Sequence, residues 1–166
     1  MTVPGDRDPK HLEIIEALKR LPDLIEEEAA GLSESVQRAR PSQDEWSIKE
    51  TVGHLRDYAE LTGRWFSTVC SLTDPMLPNL TREAELDSVK QRNYQDADLS
   101  ALIAETRSFR LQAVGVLSHA VDWTRLGQLP RVGRRSLKQL AERAVEHEVA
   151  QLAQIRALKA QQGVAA

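Results

Sequence analysis

A single cysteine, Cys70, in a chain of 166 residues excludes an internal disulfide and any cysteine-rich zinc module. Aromatic residues make up only 4% of the chain, and glycine and proline number 8 and 7, too few for the turns of a β-sandwich or barrel. There is no excess of positive charge. Lysine and arginine total 22 against 25 acidic residues, a net charge of −3, which argues against a dedicated nucleic-acid binder. Nowhere do 18 apolar residues run together, and the opening Met1–Asp8 lacks a basic-then-apolar leader pattern. The expectation is a cytoplasmic protein, bacterial in style, without a membrane partner.

What the chain does have is leucine and alanine, 21 and 19 residues, against 18 valines and isoleucines together. That bias favours helix. Neither repeats nor a domain-separating linker are visible, so residues 1–166 read as one domain with its core at about 9–160.

Four long periodic segments stand out. Asp8 before Pro9 starts the first, which carries Ile14, Leu18, Leu21, Ile25 and Leu32 on one stripe to about Leu32. Pro22 lies inside it and is expected to kink it. Residues 33–45 read as a connection with one helical turn. The second segment opens on a capping box, Ser47-Ile48-Lys49-Glu50, preceded by Trp46. Its stripe Ile48, Val52, Leu55, Ala59, Thr62, Phe66, Val69 alternates steps of 4 and 3, as a bundle helix requires. After a loop through Pro75 and Pro78, Thr81 caps a short helix reaching about Asn93. The third long helix runs from about Leu99 to Ala120, with Leu102, Thr106, Phe109, Ala113 and Val116 along its seam. Gly127, Pro130 and Gly133 mark a turn-rich connection. A second capping box, Ser136-Leu137-Lys138-Gln139, begins the last helix, which ends near Gln161 before Gly163. The fold expected is all-α: a four-helix bundle with a long crossover carrying a short extra helix.

The last helix breaks the pattern. Its seam is expected to read Leu137, Leu140, Ala144, then positions 147, 151 and 154, then Leu158. The middle three are His147, Gln151 and Gln154, and polar groups inside a seam need partners. His54, on the companion seam Thr51, His54, Tyr58, Leu61, Trp65 of the second segment, offers one. Two imidazoles and an amide converging between helices make a candidate metal site, or else a hydrogen-bonded core cluster.

At these residues the chain resembles the DinB-like (YfiT-type) metal-binding bundle superfamily. The resemblance rests on Trp46-Ser47-Ile48-Lys49-Glu50, Gly53-His54-Leu55-Arg56-Asp57 and Glu146-His147 through Gln151 to Gln154-Ile155, with Leu77-Pro78 and Arg107 in support. It spans about Leu12 to Leu158. It implies a bundle holding a divalent ion (zinc, nickel or iron) through three histidines, and reactions that include thiol-dependent transfer with a low-molecular-weight thiol and hydrolysis. Homodimers are frequent in the family. Carried over, the metal ligands are His54, His147 and the residue at 151, which here is Gln151. A carbonyl oxygen is a neutral and weaker donor than imidazole for such ions, so the expected site binds metal weakly or not at all. The two functions implied are a metal-dependent small-molecule enzyme of thiol S-transferase or hydrolase type, and a metal-free binding or dimeric interaction module.

Other residues read more plainly. Asp57 orients the His54 ring or pairs with Arg107 or Arg110. Cys70 reads as an inert, buried thiol, and His11 and His119 as solvated or capping residues near helix ends. Tyr58, Trp65 and Trp123 read as core, with Tyr58 able to face the cleft. Arg131, Arg134, Arg135 and Lys138 form a basic cluster at the start of the last helix, read as a solvated loop with an anion handle as the alternative.

Overall fold

The computed structural model describes residues 8–78 and 81–164. Four long helices carry the architecture: α1 (Pro9–Ala29), α3 (Ile48–Ser71), α5 (Leu99–His119) and α6 (Leu137–Gln161). Between them lie the short α2 (Glu34–Arg38) and α4 (Arg82–Arg92), a 3₁₀ turn (Tyr94–Asp96), and two strands, β1 (Leu126–Leu129) and β2 (Gly133–Ser136). In the bundle α3 packs against α5 and α6, and α1 against the same two, so α1 and α3 lie on one diagonal.

The helix boundaries follow from capping. Asp8, Ser47, Thr81 and Ser136 each accept a backbone N–H in the first turn of their helix, and Ser47 and Ser136 complete reciprocal capping boxes with Glu50 and Gln139. α1 continues through Pro22, which is buried, and ends at Ala29 just before Gly31, whose φ of +72° suits glycine. Leu32 therefore lies beyond the helix and is half-buried.

The connection before α6 is not merely turns. β1 and β2 form an antiparallel hairpin with Leu126 opposite Ser136 and Leu129 opposite Gly133. Strands of four residues carry too little alternation to announce themselves in a sequence. The hairpin is tied to the loop after α3 by Leu77 N–H donating to Gln128 O and Gln128 N–H to Pro75 O, both at 2.8 Å. A Cβ on Gly127 would stand 2.7 Å from Leu77 and 2.8 Å from Val69, so the hairpin approaches α3 closely only because that residue is glycine.

All seven members of the α3 stripe are buried. The core falls into two apolar clusters. One gathers Leu18, Trp65, Phe66, Leu117, Leu137 and Leu140; the other gathers Ile25, Val52, Leu55, Leu102, Leu152 and Ile155. Each fully buried leucine contributes about 1.5–3 kcal/mol. Along α5 and α6, the residues between the two clusters are polar: Thr106 and Arg110 on one, His147 and Glu148 on the other.

That belt corrects two seams. On α6 the buried positions are Leu137, Leu140, Ala141, Ala144, Glu148, Leu152, Ile155, Leu158 and Lys159. The seam thus passes through 148, 152 and 155 rather than 147, 151 and 154. His147 and Gln151 lie half-buried on its flank, and Gln154 is exposed. On α5, Arg110 is buried where the pattern suggested Phe109, which is only partly covered. The reason is one ion pair. Arg110, 1% exposed, donates to Glu148, 3% exposed, and also to Thr62 Oγ1 at 2.9 Å. Paired charges can occupy a seam that a hydropathy pattern assigns to apolar residues.

Candidate metal centre

The capping box that starts α3 also fixes where His54 points. Ser47 Oγ accepts the Glu50 N–H at 3.2 Å, and Glu50 Oε2 accepts the Ser47 N–H at 2.9 Å. Arg40 donates to the same carboxylate at 2.9 Å, locking the first turn. One turn on, His54 is 2% exposed and faces α6, where its Nε2 lies 3.0 Å from Nε2 of His147. Trp46 packs on His54 with ring centroids 4.9 Å apart, and Tyr58 stacks on His147 at 3.7 Å and 25°. Both imidazoles are therefore held by aromatic walls.

A third donor comes from the crossover. Glu85 on α4 brings a carboxylate oxygen into a cluster with His54 and His147 in which all three donor atoms lie within 4.8 Å of one another. Arg82, one turn earlier, sits 3.8 Å from the Glu85 carboxylate and 5.2 Å above the Trp46 ring.

Burial sets the protonation states. It lowers the His54 pKa to about 4, with the nearby Arg82 charge adding to the effect. His147 is lowered to about 3 by burial first, then by His54, Arg110 and Arg143. Both rings are neutral near pH 7, the form that ligates metal. Burial raises the Glu85 carboxyl, against the pull of Arg82 and Arg143, and it raises the Tyr58 phenol.

The donor set fits a divalent ion. Two imidazole nitrogens each about 2.1 Å from one ion stand about 3.4 Å apart at the tetrahedral angle of zinc sites and, at the roughly 90° of an octahedral ion, about 3 Å apart. That is the observed separation of the two Nε2 atoms. The pair is also incomplete as a hydrogen bond. One ring must donate and the other accept, and His147 Nδ1 is left buried with no partner. Two imidazoles plus a carboxylate make a borderline-to-hard set suited to zinc, nickel or iron(II).

The other sequence candidates are placed as follows. Gln151, one turn beyond His147, lines a second cavity of about 360 Å³ with Trp46, Thr51 and Arg82, and Gln154 lines it too. Asp57 does neither of the things expected of it. It accepts from the Tyr94 hydroxyl at 2.5 Å, from Ser88 Oγ at 3.3 Å and from Arg56 at 3.0 Å, and so ties α4 and the 3₁₀ turn to α3. Arg107 instead pairs with Asp23 and Glu26 on α1, and Arg110 with Glu148. Cys70 is half-buried, and burial pushes its thiol up, as an inert role requires. His11 stacks on Trp123 at 4.0 Å and 8°, while His119 Nδ1 lies 2.8 Å from the Gly115 carbonyl. In the basic cluster, Arg134 is held by Asp74 at 2.6 Å.

Glu85 is the member of this cluster that sequence reasoning missed. A signal for it existed. It lies four residues before Val89, the one buried residue of α4, and so shares the face that this helix turns to the bundle.

The family model described as the DinB superfamily matches residues 17–155. Among solved structures, the chain is similar to YfiT from Bacillus subtilis, described as a probable metal-dependent hydrolase with an unusual four-helix bundle topology. That likeness has a TM-score of 0.87 at 16% identity and covers 99% of this chain and 94% of the other. No curated protein matches by sequence.

Proposed function

The chain belongs to the DinB superfamily, and from that premise we propose that it is a metal-dependent small-molecule enzyme whose ion is held by His54, His147 and Glu85, with Gln151 beside them. The observation that carries this reading is the 3.0 Å approach of two buried imidazole nitrogens with a carboxylate in reach. A divalent ion so held supplies Lewis-acid polarisation and a nucleophile at neutral pH.

The chain's own residues supply the rest. Tyr58 and Trp46 fix the ring planes of His147 and His54. Glu85 brings the anionic donor that Gln151 cannot. Next to His147 opens a cleft of about 320 Å³, walled by Tyr58, Leu61 and Trp65, which seats an organic substrate and excludes bulk water from one side of the centre. Two histidines and one glutamate form the ligand set of hydrolytic zinc centres, which favours hydrolysis over thiol S-transfer as the reaction type.

A second reading has its own support. Arg82 stands 3.8 Å from Glu85, and the two imidazoles contact each other, so the cluster is also neutral overall without an ion. This would be the metal-free binding module. Titration of chelator-stripped protein with zinc and with nickel separates the two. The metal reading expects saturable one-to-one heat in wild type, with Glu85→Ala and His147→Ala each weakening it at least about tenfold. A silent wild-type titration would favour the metal-free module, and identical saturable traces for wild type and His147→Ala would overturn His147 as a ligand.

A further inference from the structure

The cleft beside His147 contains two charges that are left over. Arg143 and Glu146, one turn apart on α6, both line it. The spacing of three residues would allow them to pair, yet among the described residues neither makes an ion pair within 4 Å, with each other or with any third group. Most other arginines of the bundle are spoken for. Arg56, Arg64, Arg107, Arg110, Arg134 and Arg156 each meet a carboxylate. Arg143 and Glu146 are both exposed at the mouth of the cleft, and Arg143 reaches the Tyr58 hydroxyl, on the ring that stacks on His147, while its charge also acts on Glu85. The opposite wall is apolar, formed by Leu61 and the buried Trp65.

We propose that this cleft receives the zwitterionic head of an α-amino-acid-type substrate, its carboxylate on Arg143 and its ammonium on Glu146, with an apolar side chain against Tyr58, Leu61 and Trp65. An anion alone is disfavoured because Glu85 and Glu146 both border the cleft, and a cation alone is disfavoured by Arg143. A zwitterion satisfies both charges without adding net charge. Guanidinium takes carboxylate in a two-point fork, which also fixes orientation. The head so held directs the rest of the molecule along the cleft towards His147.

The inference rests on the cleft serving the centre proposed above, and its test is run without metal so that the two can fail separately. Chelator-stripped full-length protein is titrated by NMR with L-phenylalanine, 3-phenylpropionate and phenethylamine, which share the ring and differ in the charges. L-Phenylalanine should bind at least about tenfold tighter than either analogue, the scale of one charge-assisted hydrogen bond. Arg143→Gln should remove its advantage over phenethylamine, and Glu146→Gln its advantage over 3-phenylpropionate. Arg156→Gln, farther along α6 and paired with Glu28, should leave both advantages intact. Equal binding of the three probes, no binding of any up to about 20 mM, or advantages that survive in the two variants would overturn the proposal. A silent zinc titration with these advantages intact would remove the metal centre and leave the head-group site standing.

Discussion

Two polar groups interrupt the same apolar bundle, and they do so in opposite ways. Arg110 and Glu148 are opposite charges, both almost wholly buried, and Thr62 takes a further guanidinium hydrogen, so that Arg110 Nε alone stays unpartnered. His54 and His147 are two neutral rings sharing one contact, with a ring nitrogen left over and a cleft at their edge. Burial opposes the charge on Arg110, and the carboxylate against it offsets that cost. Nothing comparable offsets the unpaired nitrogen of His147. A buried charge met by its counter-charge is accounted for by structure alone, whereas two neutral imidazoles in contact, with no charge to balance, support the ligand reading proposed above.

The contrast is broken most severely at its closed half. Glu148→Ala leaves a buried guanidinium unpaired and should cost about 3–5 kcal/mol, read from urea denaturation. Replacing both partners, Arg110→Met with Glu148→Leu, should return stability to near wild type or above, because no buried charge then remains. If Glu148→Ala cost less than about 1 kcal/mol, the pair would not be closed as described.

At the open half the large effect is on metal rather than on folding. Gln151→His adds an imidazole on the same flank of α6 as His147, and it should tighten zinc at least about tenfold, roughly 1.4 kcal/mol, in calorimetric titration. Equal affinities would mean that position 151 serves the neighbouring cavity only. His54→Leu combined with His147→Leu should abolish zinc binding, yet leave stability within about 1 kcal/mol of wild type or raise it, since those rings are kept for chemistry. A loss as large as that of Glu148→Ala would make the histidines structural.

The smallest effect is one of pH at the start of α3. Burial pushes the Glu50 carboxyl up, but hydrogen bonds from Arg40 and the Ser47 amide outweigh it and hold the group below the ordinary carboxylate value. A depressed carboxyl contributes stability that is complete above the unfolded value, about 4.3, and is lost as pH falls through the folded one. Wild type should therefore exceed Glu50→Gln in stability at pH 7, and the gap should narrow as pH falls below the unfolded carboxylate value, in paired urea titrations. A gap that stays constant over that range would mean the carboxylate charge is not what holds the turn.

How legible was all this in the residues? The α3 stripe was fully legible, because its apolar positions alternate without a charge among them, and the capping boxes located both helix starts. His54 and His147 were also legible, the first on a seam beside the main stripe of α3 and the second as a polar residue expected within the seam of α6. The α6 seam was misplaced by one residue, because Glu148 reads as a surface charge until its partner Arg110, from a helix distant in sequence, is known. Glu85 was invisible for a related reason. It comes from an 11-residue crossover helix with one buried residue, and nothing local distinguishes it from the other acids there. Long-range pairing decides such positions, and a periodicity count contains no long-range information.

The short helix that delivers Glu85 has a further consequence. α4 buries only Val89 and is moored through Ser88, Arg92 and the nearby Tyr94 to a single carboxylate, Asp57, and through Arg82 to the Trp46 ring. An element with so little covered area belongs to the low end of local stability and opens more often than the four long helices. If the proposed centre holds an ion, each opening would carry one of its three donors away while two remain. The observed affinity for an ion is then the intrinsic affinity scaled by the docked fraction of α4. By the same linkage, a bound ion slows amide exchange along this helix more than anywhere else in the chain.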